Sequence, residues 1–184
     1  MAEATENGLE DALARSARGD TSAFGEIVRA HQAMVYSIAL HFLRDTSLAE
    51  DVAQEAFLEL YRNLAKIKSS DHLRFWLRRV ACHRSIDSAR RKQPDGMLSL
   101  AEAPEPVALS PMDDPLLEDL LWRLVGSLPE KPRLALILRY QEDLTVAEIA
   151  EVMEAPQNTV KSLLGRALET LREKLARAMR GVKV

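Results

Sequence analysis

Ser47-Leu48-Ala49-Glu50-Asp51-Val52-Ala53-Gln54-Glu55-Ala56-Phe57-Leu58-Glu59-Leu60-Tyr61 reads as one amphipathic helix that continues to about Lys66. At about 100° per residue, Ala49, Val52, Ala53, Ala56, Phe57, Leu60, Tyr61 and Leu64 share a broad face suited to a core. Opposite them, Asp51, Gln54, Glu55 and Leu58 fall at i, i+3, i+4 and i+7, which sets a leucine inside an acidic, amide-bearing stripe. That stripe is either a solvated face with one stray leucine or the contact face of a partner-binding helix. Ser47 and Glu50 have capping-box spacing and place the expected start of the helix at Ser47.

The same period extends outward in both directions, near 9–18, 22–43, 72–92, 116–127, 130–141, 146–154 and 158–179, with no two-residue alternation. Thr145 and Glu148 form a second capping-box pair. Only seven glycines and 5% aromatic residues argue against a barrel or sandwich, and 47% hydrophobic residues in 184 suffice for one ordinary domain or two small ones. The expected class is all-α. The longest apolar run, Leu134 to Leu138, is far short of the roughly 20 residues that cross a bilayer, so no membrane insertion is expected. The acidic start reads as neither a secretory signal nor a transit peptide, and Cys82 is the single cysteine. A cytoplasmic location follows as the expectation.

A net charge of −3 argues at first against nucleic-acid binding. By position it separates into opposite blocks: −5 over residues 1–73, +6 over 74–92, −5 over 93–115, −4 over 116–160 and +5 over 161–184. Residues 93–115 hold five of the eight prolines and no Lys or Arg, a composition that cannot bury enough apolar surface to order itself. The expected organisation is a domain at 1–92, a flexible acidic linker at 93–115 and a domain at 116–184. The 22 residues Gln93 to Asp114 span at most about 73–79 Å extended, comparable to some 20 base pairs.

Two further surfaces stand out. Trp76, Arg79, His83, Asp87 and Arg90 follow at steps of 3, 4, 4 and 3, beside a face of Phe75, Cys82, Ile86 and Ala89. An aromatic among guanidiniums suits single-stranded nucleic acid, where bases stack and phosphates are neutralised; the same stripe could be a core tryptophan with a solubilising face. In the second half, Val146 to Glu154, a break at Glu154-Ala155-Pro156-Gln157 and a helix expected to start at Asn158 have helix-turn-helix spacing. Its second helix would offer Thr159, Lys161, Ser162 and Arg166 to a major groove. No metal site is expected, since His83 beside Cys82 lacks further ligands. No cofactor, phosphate-cradling glycine loop or nucleophile–base pair is evident, so no enzymatic activity is expected.

With these residues in view, the chain resembles the extracytoplasmic-function (group 4) sigma factors of bacterial RNA polymerase over about 20–92 and 115–178. Asp51-Val52-Ala53-Gln54-Glu55-Ala56-Phe57 looks like the family's polymerase-binding stretch, and Trp76-Leu77-Arg78-Arg79-Val80-Ala81 with Ile86-Asp87 looks like its −10 helix. Leu128-Pro129-Glu130-Lys131, Leu138-Arg139-Tyr140, Glu148-Ile149-Ala150 and Thr159-Val160-Lys161-Ser162 look like its second domain, ending in a helix-turn-helix.

The resemblance implies a promoter-specificity subunit that joins polymerase core through the β′ clamp helices and the β flap, melts the −10 region and reads the −35 element as duplex. Asp51, Gln54, Glu55 and Leu58 would then face polymerase. Lys66, Lys68, Arg74, Trp76, Arg79, His83, Arg90 and Arg91 would lie along −10 DNA, with Lys66 to Leu73 forming the loop that captures a flipped-out base. Thr159, Lys161, Ser162 and Arg166 would meet −35 DNA, and an anti-sigma factor would cover the same faces. Three positions depart from the family's habit besides His83, where asparagine is usual: Leu163 and Gly165 in the recognition helix, and Glu154 in the turn that commonly holds glycine. The alternatives are a DNA-binding regulator with a C-terminal helix-turn-helix that acts without joining polymerase, whose usual strand-and-helix receiver domain residues 1–92 do not show, and an enzyme acting on nucleic acid.

Overall fold

Asp45, not Ser47, begins the third helix. Its carboxylate accepts the Leu48 amide at 3.1 Å and its carbonyl takes the Ala49 amide at 3.0 Å. The helix therefore runs Thr46–Asn63 and Ser47 lies inside its first turn. An ionised aspartate satisfies a free amide and also meets the positive end of the helix dipole, which a serine does not.

The computed structural model describes residues 2–92 and 115–181. Among these are α1 (Ala2–Ala17), α2 (Thr21–Leu43), α3 (Thr46–Asn63), a 3-10 turn (Leu64–Lys66), α4 (Ser70–Lys92), α5 (Pro115–Gly126), α6 (Glu130–Tyr140), α7 (Val146–Val152) and α8 (Gln157–Gly181), and no strand. The chain is all-α, and it divides into two compact units at Arg91 and Lys92. The expected linker lies outside the described residues except for Pro115, which opens α5, a place where its missing N–H costs nothing.

In the first unit, Gly19 adopts φ 96° and lets α1 turn into α2. Asp20 then serves two partners. Its Oδ1 accepts the Ser22 and Ala23 amides at 2.9 and 3.1 Å, and its Oδ2 takes Arg15 Nε and Nη2 at 2.9 and 2.8 Å. Those donors, the Ala23 amide first and Arg15 next, hold the carboxyl below the usual aspartate value. The core gathers Ile27, Val35, Ile38 and Phe42 of α2, Val52 and Leu60 of α3, and Leu73 and Leu77 of α4, all essentially buried. Each such side chain contributes about 1.5–3 kcal/mol on leaving water. Tyr61, expected in the core, is instead 50% exposed. It sits edge-on to Phe24 with ring centroids 5.1 Å apart, which keeps the phenol in water.

Two histidines lie inside this unit. His41 Nδ1 pairs with the Ser37 carbonyl at 2.7 Å. Burial pushes both His31 and His41 below the ordinary histidine value, aided for His31 by Arg74 and Arg78 and for His41 by Arg44.

The second unit buries Leu134, Ile137 and Leu138 of α6, Ile149 and Val152 of α7, and Val160, Leu163 and Ala167 of α8. Lys174 Nζ reaches Ser127 Oγ at 2.5 Å, tying α8 to the end of α5, and Arg139 donates to the Leu144 carbonyl at 2.8 Å to close the α6–α7 connection. Thr145 and Glu148 form the expected capping box.

Candidate functional site

Three surfaces emerge from these helices. On α3, Asp51, Gln54 and Leu58 are exposed, Leu58 at 57%. Val52, Ala56, Phe57 and Leu60 on the opposite side are buried, so packing fixes which face looks outward. Glu55 is only half-exposed. Its carboxylate receives Arg84 Nη1 at 3.4 Å and lies 4.0 Å from Arg91. The stripe is thus three open side chains and a fourth already engaged by α4.

That engagement belongs to a larger clasp. Arg84 also donates from Nε and Nη2 to Glu59 Oε2, which raises the guanidinium pKa further. Neither Arg84 nor Glu59 is recognisable in the sequence as a pair, because they stand 25 residues apart.

On α4, Leu73, Leu77, Val80, Ala81 and Cys82 turn inward. Trp76 and Arg79 are half-buried and His83, Asp87 and Arg90 exposed, so the expected stripe is a real surface graded from apolar to wet. Arg91 is exposed, and Arg74 lies 3.7 Å from Asp71. The preceding loop carries Lys66 and Lys68, both exposed. Lys66 Nζ donates to Asn63 Oδ1 at 2.8 Å, and His72 Nδ1 accepts the Lys68 amide at 3.2 Å. A half-buried indole with cations on either side can stack on a base while the neighbours meet phosphate.

On α8, Thr159, Lys161, Ser162 and Arg166 are all exposed. The helix starts one residue before Asn158, because the Pro156 carbonyl takes the Thr159 and Val160 amides at 2.9 and 3.1 Å. Asn158 therefore lies within the first turn, where its carbonyl receives Ser162 Oγ at 2.9 Å. Glu154 sits left-handed at φ 50°, with the Ala155 amide reaching back to the Ala150 carbonyl at 2.9 Å, a helix ending that glycine ordinarily supplies. The strain is on the order of 1 kcal/mol. Leu163 is buried and so belongs to the core of this unit, whereas a Cβ on Gly165 would meet nothing within 4 Å. Gly165 is therefore a gap in the exposed face and no requirement of packing.

Among the described residues no group of three or more His, Cys, Asp or Glu side chains could hold a metal ion, and no helix is long and apolar enough to cross a membrane.

Residues 27–94 match the model for Sigma-70 region 2, and residues 118–171 match that for Sigma-70, region 4. The chain is 33% identical to the ECF RNA polymerase sigma factor SigW of Bacillus subtilis over 172 residues, covering 86% of this chain and 91% of that protein. Its fold is similar to CnrH in its complex with the cytosolic domain of CnrY, at a TM-score of 0.69 and 22% identity, covering 92% and 98% of the two chains. It is also similar to RpoE of Bartonella quintana bound to the anti-sigma factor NepR, at a TM-score of 0.68 and 18% identity, covering 83% and 96%.

Proposed function

This chain belongs to the ECF sigma factors of the sigma-70 family, which direct RNA polymerase to initiate transcription, and from that premise we propose how its surfaces divide the work. Residues 1–92 dock on polymerase core and open the −10 region; residues 116–184 read the −35 element as duplex; the intervening segment joins them. The observation that carries the assignment is Leu58, 57% exposed on the face it shares with Asp51 and Gln54, on a helix whose other side is packed. A leucine ringed by polar groups is the anatomy of an interface anchor, apolar at the centre and wet at the rim.

On the neighbouring helix, Trp76 stacks with an unpaired base of the −10 strand, and Arg74, Arg79, His83, Arg90 and Arg91 follow its backbone. Lys66 and Lys68 hold phosphates beside the base-capturing loop. Thr159, Lys161, Ser162 and Arg166 enter the major groove at −35. Gly165 leaves room there for the DNA backbone to approach. Binding energy drives opening, since the melted strand gains stacking and ion pairs that duplex cannot make, and the factor contributes no bond-breaking chemistry of its own. It works in the cytoplasm, where polymerase is. A regulatory protein of the anti-sigma kind covers the α3 and α4 faces in the silent state; the similar structure of the sigma factor RpoE bound to the anti-sigma factor NepR supports this reading.

The test adds the purified chain to core polymerase on fragments of the host genome. Initiation at discrete promoters that core alone ignores is expected. The pair Asp51→Arg and Gln54→Ala abolishes association with core while the helical circular dichroism is retained; undiminished association removes α3 from the interface.

A further inference from the structure

The loop between α3 and α4 has a keeper on another helix. Glu10 Oε1 of α1 accepts the Ser70 amide at 2.7 Å across 60 residues of sequence. Ser70 opens α4, so this amide is one that a helix start leaves without an intrahelical partner. Next to it, Ser69 Oγ accepts the His72 amide at 3.1 Å and the Ser69 carbonyl takes the Leu73 amide at 2.9 Å. On the other side, His72 Nδ1 accepts the Lys68 amide and the Ile67 amide returns to the Leu64 carbonyl. The backbone of this loop is thus held at the amides of Ile67, Lys68, Ser70, His72 and Leu73 while the Lys66 and Lys68 side chains stay in solvent. Helix α1 packs on α2 and on the 3-10 turn that leads into the loop. All of α1 lies outside residues 27–94, where the region 2 match falls.

We propose that Glu10 is a positioning residue for DNA opening: by holding the Ser70 amide it fixes the Lys66–Leu73 loop in the form that receives an unstacked base. The proposal rests on the assignment of that loop to −10 DNA. A loop ordered in advance does not lose its freedom at the moment of capture, so the gain appears in the opening step rather than in docking on core. The carboxylate suits the task because it faces the positive end of α4 and makes a charge-assisted bond to the amide. Neutral acceptors can keep the geometry, and glutamine is the conservative replacement.

The experiment uses full-length chain, core polymerase and a promoter recovered by the genomic transcription described above, with 2-aminopurine in the non-template strand of the −10 region. Glu10→Ala is expected to slow the fluorescence rise of opening about three- to tenfold, the range that loss of one such hydrogen bond allows, with core affinity unchanged. Glu10→Gln is expected to restore most of the rate. Ser70→Pro removes the donor instead, at a helix position that accepts proline. Combined with Glu10→Ala it should slow opening no further than either change alone. If Glu10→Ala opens DNA at the parent rate while Lys68→Ala is slow, the loop assignment survives and the role of Glu10 does not. If neither change affects opening, the loop assignment itself fails. If Glu10→Ala lowers opening, core affinity and melting temperature together and Glu10→Gln restores none of them, Glu10 is only a structural brace and the proposal is overturned.

Discussion

Arg84 Nη2 lies 2.6 Å from Glu59 Oε2, and the same guanidinium reaches Glu55 at 3.4 Å, so one arginine of α4 grips two acidic residues of α3. The helix assigned to polymerase and the helix assigned to DNA are therefore held together by charge. Because Arg84 and Glu59 side chains remain 38% and 33% exposed, solvent screens the pair. Arg84→Met is expected to cost about 0.5–1 kcal/mol. Glu59→Gln should cost a similar amount, and the double change no more than either, as read from urea unfolding. Fully additive losses would show that the two residues do not act as a pair.

Leu58 gives a prediction about binding without stability. Leu58→Ala is expected to weaken association with core polymerase by tenfold or more, about 1.4 kcal/mol for an interface anchor. Its unfolding free energy should stay within about 0.5 kcal/mol of the parent, as for other exposed substitutions. Fluorescence anisotropy with labelled protein checks the first and urea unfolding the second. A variant that binds core normally would mean that Leu58 is a stray apolar side chain.

His31 and His41 give a prediction about pH. Burial lowers both below the ordinary value, so the unfolded chain takes up protons before the folded one does. Their contribution to stability is full above the unfolded value of about 6.5 and is lost as pH falls through it toward the folded values. The urea midpoint should therefore drop from pH 7.5 to pH 5, and His31→Leu should flatten that slope by up to about one proton. An unchanged slope in this variant would show that His31 takes up its proton equally in the folded and unfolded chain.

The recognition end separates fold from contact. Lys161→Ala and Arg166→Ala are each expected to reduce the slope of log affinity against log salt by about one unit, when holoenzyme binds a promoter duplex. Thr145→Ala removes the α7 cap and should lower the stability of the second unit by about 1 kcal/mol. It should leave the salt slope alone, since Thr145 precedes the turn and the exposed cations lie on α8. A change in salt slope with Thr145→Ala would place α7 itself on the phosphates.

Much of this was legible in the residues. Periodicity located every helix of the described chain to within a few residues, apart from the start of α1. That helix begins at Ala2, before any apolar repeat. The exposed positions of Asp51, Gln54 and Leu58, and of Thr159, Lys161, Ser162 and Arg166, also followed from the 3.6-residue period, because local geometry alone sets the face. Caps were harder. Ser47 and Asn158 each have a suitable side chain, but Asp45 and the Pro156 carbonyl reach the free amides first, and a spacing rule cannot rank competing acceptors. Contacts between helices were not legible at all. Arg84 with Glu59, and Glu10 with Ser70, join positions whose separation carries no periodic signal.

Asp20 has a consequence for the order of assembly. It binds Arg15 on one side and the first amides of α2 on the other, so the nine residues Arg15 to Ala23 contain the whole α1–α2 corner. Such a corner closes a short loop and forms early, whereas the Glu10–Ser70 bond must wait for a closure of 60 residues. From that order of closure, amide exchange at Ser70 is expected to outpace that at Ala23.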